Sequence, residues 1–219
     1  MKLRAVLWDM DGVLIDSMDR HAQAWIRAAG ELGLNEIDPQ EILRREGERG
    51  EVSARDFIKA HDMMPTRKRV RQLLETKEQI FAAMGPARPF PNIEQVLAEV
   101  ARRGLAMALV TGTSADELET VLPAPIRSMF KVLITGDAVL HGKPNPEPYL
   151  KAAMGLGLAP EVCLAVENAP FGLRSAKDAG ALVAVVPTSL PIDQLPGADF
   201  YLDSIEQVPG LLDRIAQTD

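Results

Sequence analysis

The sequence has one cysteine, Cys163. No intramolecular disulfide can form, and nothing marks the chain for an oxidising compartment. It also lacks an excess of positive charge. Lys and Arg number 24 against 31 Asp and Glu, a net charge of -7. Nucleic-acid binding needs clustered Lys and Arg, so no nucleic-acid partner is expected. An anionic small substrate stays open, because local charge decides that. Long apolar runs are missing too. The run Leu3 to Trp8 is cut off by Asp9 and Asp11, so it reads as neither a signal peptide nor a membrane span. No membrane partner is expected, a cytoplasmic location follows by default, and a monomer is the expected state. No internal repeat or low-complexity segment is found. What remains is an ordinary globular composition, 47% hydrophobic and 25% charged over 219 residues. That length suits one large domain, or one domain with a smaller insert.

Short apolar runs recur at Leu3 to Trp8, Leu105 to Val110, Val132 to Ile134, Val162 to Val166 and Leu182 to Val186. Near-continuous apolarity over strand length suits a parallel sheet buried on both faces. Helical patterns lie between them. Ile93 to Arg103 has apolar residues at helical spacing. Ser114 and Glu117 form a capping-box pair opening a helix to Leu122. Asn145 followed by Pro146 reads as a cap with proline at the first helical position. Pro170 to Ala179 ends at Gly180, a C-terminal stop. The alternation predicts an α/β doubly wound, Rossmann-like parallel sheet. Between Ser17 and Met84 only helical patterns occur: His21 to Leu32, Ser53 to His61 opened by a Ser53/Asp56 capping pair, and Thr66 to Met84. Gly85 to Pro91 reads as a linker, since three prolines in seven residues cannot sustain a helix. The expected organisation is a core of residues 1–16 plus 89–219, with an α-helical cap at 17–88.

Four short segments carry candidate chemistry. Asp9-Met10-Asp11-Gly12-Val13 closes the first strand. Residues two apart on a strand share a face, so both carboxylates should project to one side at the strand's carboxyl end, where α/β sheets bind ligands. Two crowded carboxylates need a cation or a shared proton. The plain alternative is an Asp-Gly turn. Thr111, with Gly112 and Thr113, sits between a strand end and a helix N-terminus, a place suited to an anion; an ordinary N-cap cluster is the alternative. Lys143 lies in the loop before another helix and could balance a carboxylate and a phosphoryl group, although most lysines are simply exposed. Glu167-Asn168 ends a further strand with oxygens suited to Mg²⁺, or Asn168 merely caps the next helix. Each segment is weak alone. Together they supply the parts of a phosphoryl transfer through an aspartyl-phosphate.

In that order the four segments resemble the motifs of the haloacid dehalogenase superfamily of phosphohydrolases, over nearly the whole chain. Asp16-Ser17 followed by His21 and Trp25, and Lys77 four residues before Phe81, resemble its β-phosphoglucomutase-like group. The resemblance implies that Asp9 attacks phosphorus and that Asp11 protonates the leaving oxygen and then activates water. It implies that Thr111 and Lys143 hold the phosphoryl oxygens, with Gly112 and Thr113 beside them. It implies Mg²⁺ on the Asp9 carboxylate, the Asp11 backbone carbonyl and the Glu167-Asn168 motif. That motif often carries two acids, so neutral Asn168 implies weaker metal binding, and either Glu167 or Asn168 is the direct ligand. His21, Lys77 and Arg49 are the candidate substrate-binding residues of the cap. Cys163 reads as inert core, and the sequence names no partner for His61 or His141.

The leading expectation is a phosphatase for a small phosphorylated metabolite, with a sugar phosphate as substrate class. A sugar phosphomutase of the same architecture is the alternative. A non-catalytic regulator would have lost a motif residue, and a dehalogenase has no need of Asp11.

Overall fold

The computed structural model describes residues 2–34 and 37–217. Its centre is a six-stranded parallel sheet in the order β5-β4-β1-β6-β7-β8. The strands are β1 (Ala5–Trp8), β4 (Ala106–Val110), β5 (Val132–Ile134), β6 (Cys163–Glu167), β7 (Leu182–Val185) and β8 (Phe200–Tyr201). The five predicted runs all form strands, and β8 is an addition. Its two residues are too short to give a pattern.

The apolar run of β1 divides by alternation. Val6 and Trp8 join the core on one sheet face, under α5 (Ile93–Arg102) and α10 (Val208–Gln217). Ala5 and Leu7 face α8 (Glu147–Gly155) and α9 (Pro170–Asp178) on the other. Burial on both faces explains why a two-residue period is invisible in the hydropathy. From β1 the chain winds outward through β4 and β5, then returns to β6 and winds the other way. The β1/β6 boundary is therefore the topological switch point, where such sheets open a crevice at their carboxyl ends.

Four helices form a separate unit: α1 (Met18–Glu31), α2 (Pro39–Arg44), α3 (Gly50–Ala60) and α4 (Arg67–Ala83). They share their own apolar core, in which Trp25 meets Phe57 edge-on at 5.3 Å. α3 corrects one expectation. It starts three residues before Ser53, after Arg49, so Ser53 and Asp56 are not its capping pair. Ser53 is buried inside the helix and donates to Glu48 at 2.6 Å, while Asp56 accepts from Arg45. A second correction is small. Pro146 occupies the cap position of α8, and Asn145 serves it by accepting from the Glu147 amide at 3.0 Å.

The Gly85–Pro91 segment is not wholly irregular. β3 (Arg88–Pro89) pairs antiparallel with β2 (Ile15–Asp16), and the Phe90 amide bonds the Leu14 carbonyl at 2.9 Å. A two-residue ribbon tolerates proline, because one of its edges needs no donor. Both chain crossings between sheet and helical unit thus run side by side. Arg20 of α1 ties the approach by bonding the carbonyls of Met84 and Gly85.

Candidate active site

β1 stops at Trp8, one residue before Asp9, so the two carboxylates stand on a loop and not on a strand. The Asp9 amide still bonds the Val166 carbonyl at 3.1 Å. The loop then folds tightly, with the amides of Val13, Leu14 and Ile15 all turned to the Met10 carbonyl. Gly12 makes this possible. Its φ is +80°, and a Cβ there would lie 1.9 Å from Asn168 Nδ2.

Asp9, Lys143 and Glu167 form a buried ion triad beneath the switch point. Lys143 Nζ donates to Asp9 Oδ1 at 2.6 Å and to Glu167 Oε1 at 2.7 Å. All three residues are at most 2% exposed. Tyr149 adds a hydroxyl to Glu167 Oε1 at 2.5 Å, and the Asn168 amide bonds Oε2 at 3.1 Å. Burial, aided by Glu167, pushes the Asp9 carboxyl up to about 8 in spite of Lys143. Burial opposes the charge on Lys143 too, but Asp9 and Glu167 prevail and raise its pKa.

Two buried oxygens here have no hydrogen-bond donor: Asp9 Oδ2 and Asn168 Oδ1. Asn168 is itself fully buried and donates Nδ2 to Ser189 Oγ at 2.7 Å. A carboxylate oxygen and an amide oxygen, both desolvated, are the donors a hard cation takes, and leaving them unpaired is costly. The residues present therefore fit a divalent metal. Among the described residues, no three His, Cys, Asp or Glu side chains form a self-sufficient cage, so the amide would matter.

Asp11 is held differently. Ser17 Oγ donates to its Oδ1 at 2.5 Å, His21 Nε2 lies 3.3 Å from the same oxygen, and Thr113 Oγ1 donates to Oδ2 at 3.4 Å. Burial would raise its pKa, but the His21 and Ser17 contacts outweigh burial and lower it. Burial lowers His21, with the Lys77 charge adding to it. Thr111 is buried, and its Oγ1 accepts from the Thr113 amide at 3.1 Å, which aims the turn at Asp11. The predicted capping box follows at Ser114 and opens α6 (Ala115–Val121).

The helical unit presses on this floor through residues 46–49. A Cβ on Gly47 would sit 2.4 Å from the Lys143 Cδ, and one on Gly112 would sit 3.0 Å from the Gly47 carbonyl. Arg49 reaches the Leu140 carbonyl at 2.9 Å. Beside this contact lies a cavity of about 850 Å³ between sheet and helices, lined by Asp11, His21, Lys77, Arg49, Gly112 and Thr113 among others. His21 stacks on Phe81 at 4.2 Å, and Lys77 Nζ lies over Phe81 at 5.1 Å. Lys77 therefore faces the cavity and not a solvated helix face.

The sequence did not point to Tyr149, Ser189 or Glu46, and it gave Ser17 only as part of the pattern opening the first cap helix. Tyr149 left a trace as an apolar-face residue of a helix that follows Lys143. Cys163 is buried core, its thiol pushed up to about 11 by that burial. His61 and His141 do find partners, in the Phe57 carbonyl and Glu147.

A six-stranded parallel sheet, a helical unit inserted after its first strand, and a lysine bridging two buried acids at the switch point define the class. The chain belongs to the haloacid dehalogenase-like hydrolases, which it matches over residues 6–186, and within them to the β-phosphoglucomutase-like group. It is 31% identical over 217 residues to hexitol phosphatase A of Escherichia coli (strain K12), covering 95% of this chain and 94% of that protein. The "putative beta-phosphoglucomutase" from Bacteroides vulgatus superposes with a TM-score of 0.88 at 30% identity, covering 99% of this chain and 90% of that one. CbbY from Rhodobacter sphaeroides, solved with xylulose-(1,5)bisphosphate, superposes at 0.78 with 28% identity, covering 94% and 96%. No helix among the described residues is long and apolar enough to cross a membrane.

Proposed function

We propose that the chain is a magnesium-dependent phosphatase that hydrolyses a small sugar or polyol phosphate through a phosphorylated Asp9. The observation that carries this is the pairing of Lys143-bridged Asp9 with an orphan oxygen. Asp9 is a carboxylate fixed in place, desolvated and short of one cation, two residues from Asp11 on the wall of a substrate-sized cavity. The names of the relatives, phosphatases of phosphorylated carbohydrates among them, support the same class.

Mg²⁺ would be held by the Asp9 carboxylate, the Asp11 backbone carbonyl and Asn168 Oδ1, and would neutralise charge building up on the phosphoryl oxygens. Glu167 is then better placed as an anchor than as a ligand, because Lys143, Tyr149 and the Asn168 amide already occupy both of its oxygens. The Asp9 carboxylate attacks phosphorus and the ester oxygen leaves, taking a proton from Asp11. Water, deprotonated by Asp11, next attacks the aspartyl-phosphate, releasing inorganic phosphate and restoring Asp9. In the structure Asp11 is the ionised acceptor, the form that activates water. Before the first step Asp11 must take a proton from solvent, and His21, kept from charging by burial and the Lys77 charge, positions its carboxyl. Lys143 and the Thr111 hydroxyl hold phosphoryl oxygens. Gly47 settles on Lys143 and Gly112, so substrate entry requires the 46–49 segment to lift.

A phosphatase panel with Mg²⁺, run beside Asp9→Asn, tests the reading. Hydrolysis of sugar or polyol monophosphates by the wild type alone supports it. Equal inactivity of both proteins on every substrate would sink it. A mutase shares this floor, and the contacts of His21 and Lys77 inside the cavity are what favour it.

A further inference from the structure

Two neighbouring hydroxyls stitch the segment after β7 to the floor of the site. The segment reads Pro187-Thr188-Ser189-Leu190-Pro191. Proline fixes the backbone at each end, and Leu190 is buried between them. The Val186 amide bonds the Glu167 carbonyl at 2.9 Å, which sets the segment beside the end of β6. From there Thr188 Oγ1 donates to the Gly12 carbonyl, in the turn that follows Asp11. Ser189 Oγ accepts from Asn168 Nδ2 at 2.7 Å. The pair thus reaches both parts of the chain beside Asp9 that were named above for Mg²⁺, the Asp11 turn and the Asn168 side chain. Nδ2 has little room to move. A Cβ on Gly12 would lie 1.9 Å from it and 2.8 Å from Ser189 Oγ. Oδ1 is the amide atom left without a donor.

We infer that Ser189 is a positioning residue for the metal: it accepts from Asn168 Nδ2 in the amide orientation that frees Oδ1 for a cation. This rests on Asn168 as a metal donor, proposed above, and adds the residue that makes a neutral donor workable. The reason lies in the residue type. A carboxylate at this position would present an oxygen whichever way it turned. An amide presents an oxygen at one end and two N–H donors at the other, and a half-turn of its plane would aim those donors at a cation. Once Oδ1 is on the metal, Nδ2 must find an acceptor, because Asn168 is fully buried. Ser189 Oγ is that acceptor. Without it, the metal-free side chain can turn to escape the loss, whereas the metal-bound one cannot. The loss therefore falls on metal affinity, as it does for other groups that orient a ligand from behind.

The test is calorimetric titration of full-length, metal-free protein with Mg²⁺, with the unfolding temperature followed in parallel. Ser189→Ala should weaken Mg²⁺ binding roughly 10-fold, while Ser189→Thr, which keeps the acceptor, should retain most of the affinity. The sharper comparison is made in Asn168→Asp. There both side-chain oxygens are acceptors, and the Ser189 hydroxyl turns into a donor that competes with the cation for them. Adding Ser189→Ala to Asn168→Asp should leave Mg²⁺ affinity level or raise it. A residue that merely supports the loop would lower the metal-free unfolding temperature and shift Mg²⁺ affinity alike in both backgrounds. Equal weakening in both backgrounds, or no weakening in the wild-type background, overturns the role of Ser189. Asn168→Leu separates that role from the reading beneath it. If wild type binds no Mg²⁺, or Asn168→Leu binds it as tightly as wild type, Asn168 is not a metal donor and both fail. If Asn168→Leu loses affinity and Ser189→Ala does not, Asn168 stands as a donor and the role of Ser189 alone fails.

Discussion

The floor of the site and its roof are built on opposite terms. On the floor, Asp9, Lys143, Glu167 and Asn168 are buried to within 2% exposure, and each is locked to another element of the sheet domain. On the roof, His21 and Lys77 meet aromatic faces, Arg45 is only partly buried, and Glu78 is exposed. Rigid desolvated ions suit a reaction whose charges must be met without reorganisation. Looser, partly solvated groups suit recognition, where modest changes shift preference and leave the chemistry intact. Substitutions on the floor should therefore cost stability and turnover together, and those on the roof mainly selectivity.

The largest effect is expected at Lys143. Lys143→Met leaves Asp9 and Glu167 buried with no shared cation, at a cost of about 3–5 kcal/mol by analogy with broken buried pairs. Thermal unfolding should drop sharply and hydrolysis should vanish; a protein as stable as wild type would break the contrast. Asp11→Asn comes next. It keeps the shape and the Ser17 contact but loses proton transfer, so kcat should fall by about 10²–10⁴-fold with little change in unfolding temperature.

A smaller effect concerns metal and pH. The Asp9 carboxyl titrates near 8 in the folded chain, against an ordinary value of 3.8. Between those values the folded chain holds a proton that the unfolded chain has released, so metal-free stability falls as pH rises through that window. A cation on Asp9 takes the place of that proton. Mg²⁺ should accordingly raise the unfolding temperature more at pH 8 than at pH 5, and an equal shift at both would count against Asp9 as a ligand. The smallest effect is on the roof. Lys77→Met should change KM by roughly 3- to 30-fold, depending on the sugar, with unchanged unfolding. A uniform loss of kcat on all substrates would place Lys77 with the floor.

Much of the floor was legible because β-strands buried on both faces leave continuous apolar runs, and polar residues at the ends of those runs stand out. Asp9, Thr111 and Glu167 were found that way, and Lys143 by its place in the loop before a helix. The choice between Glu167 and Asn168 was not legible. It depends on which oxygens Lys143 and Tyr149 already occupy, and Tyr149 stands 18 residues from Glu167. The roof was read less well. Ser53 and Asp56 match a capping box in sequence, yet Arg49 sits at the cap and α3 begins at Gly50, with Ser53 drawn inward by Glu48. The β2–β3 ribbon was hidden by its prolines.

The central claim is that Asp9 takes the phosphoryl group. Rapid acid quench of the enzyme during turnover, followed by peptide mass spectrometry, tests it directly. The peptide containing Asp9 should gain the mass of one phosphoryl group, and the gain should be absent from Asp9→Asn and from enzyme quenched after substrate is exhausted. Turnover with no phosphorylated peptide, or with the label on another residue, would contradict it.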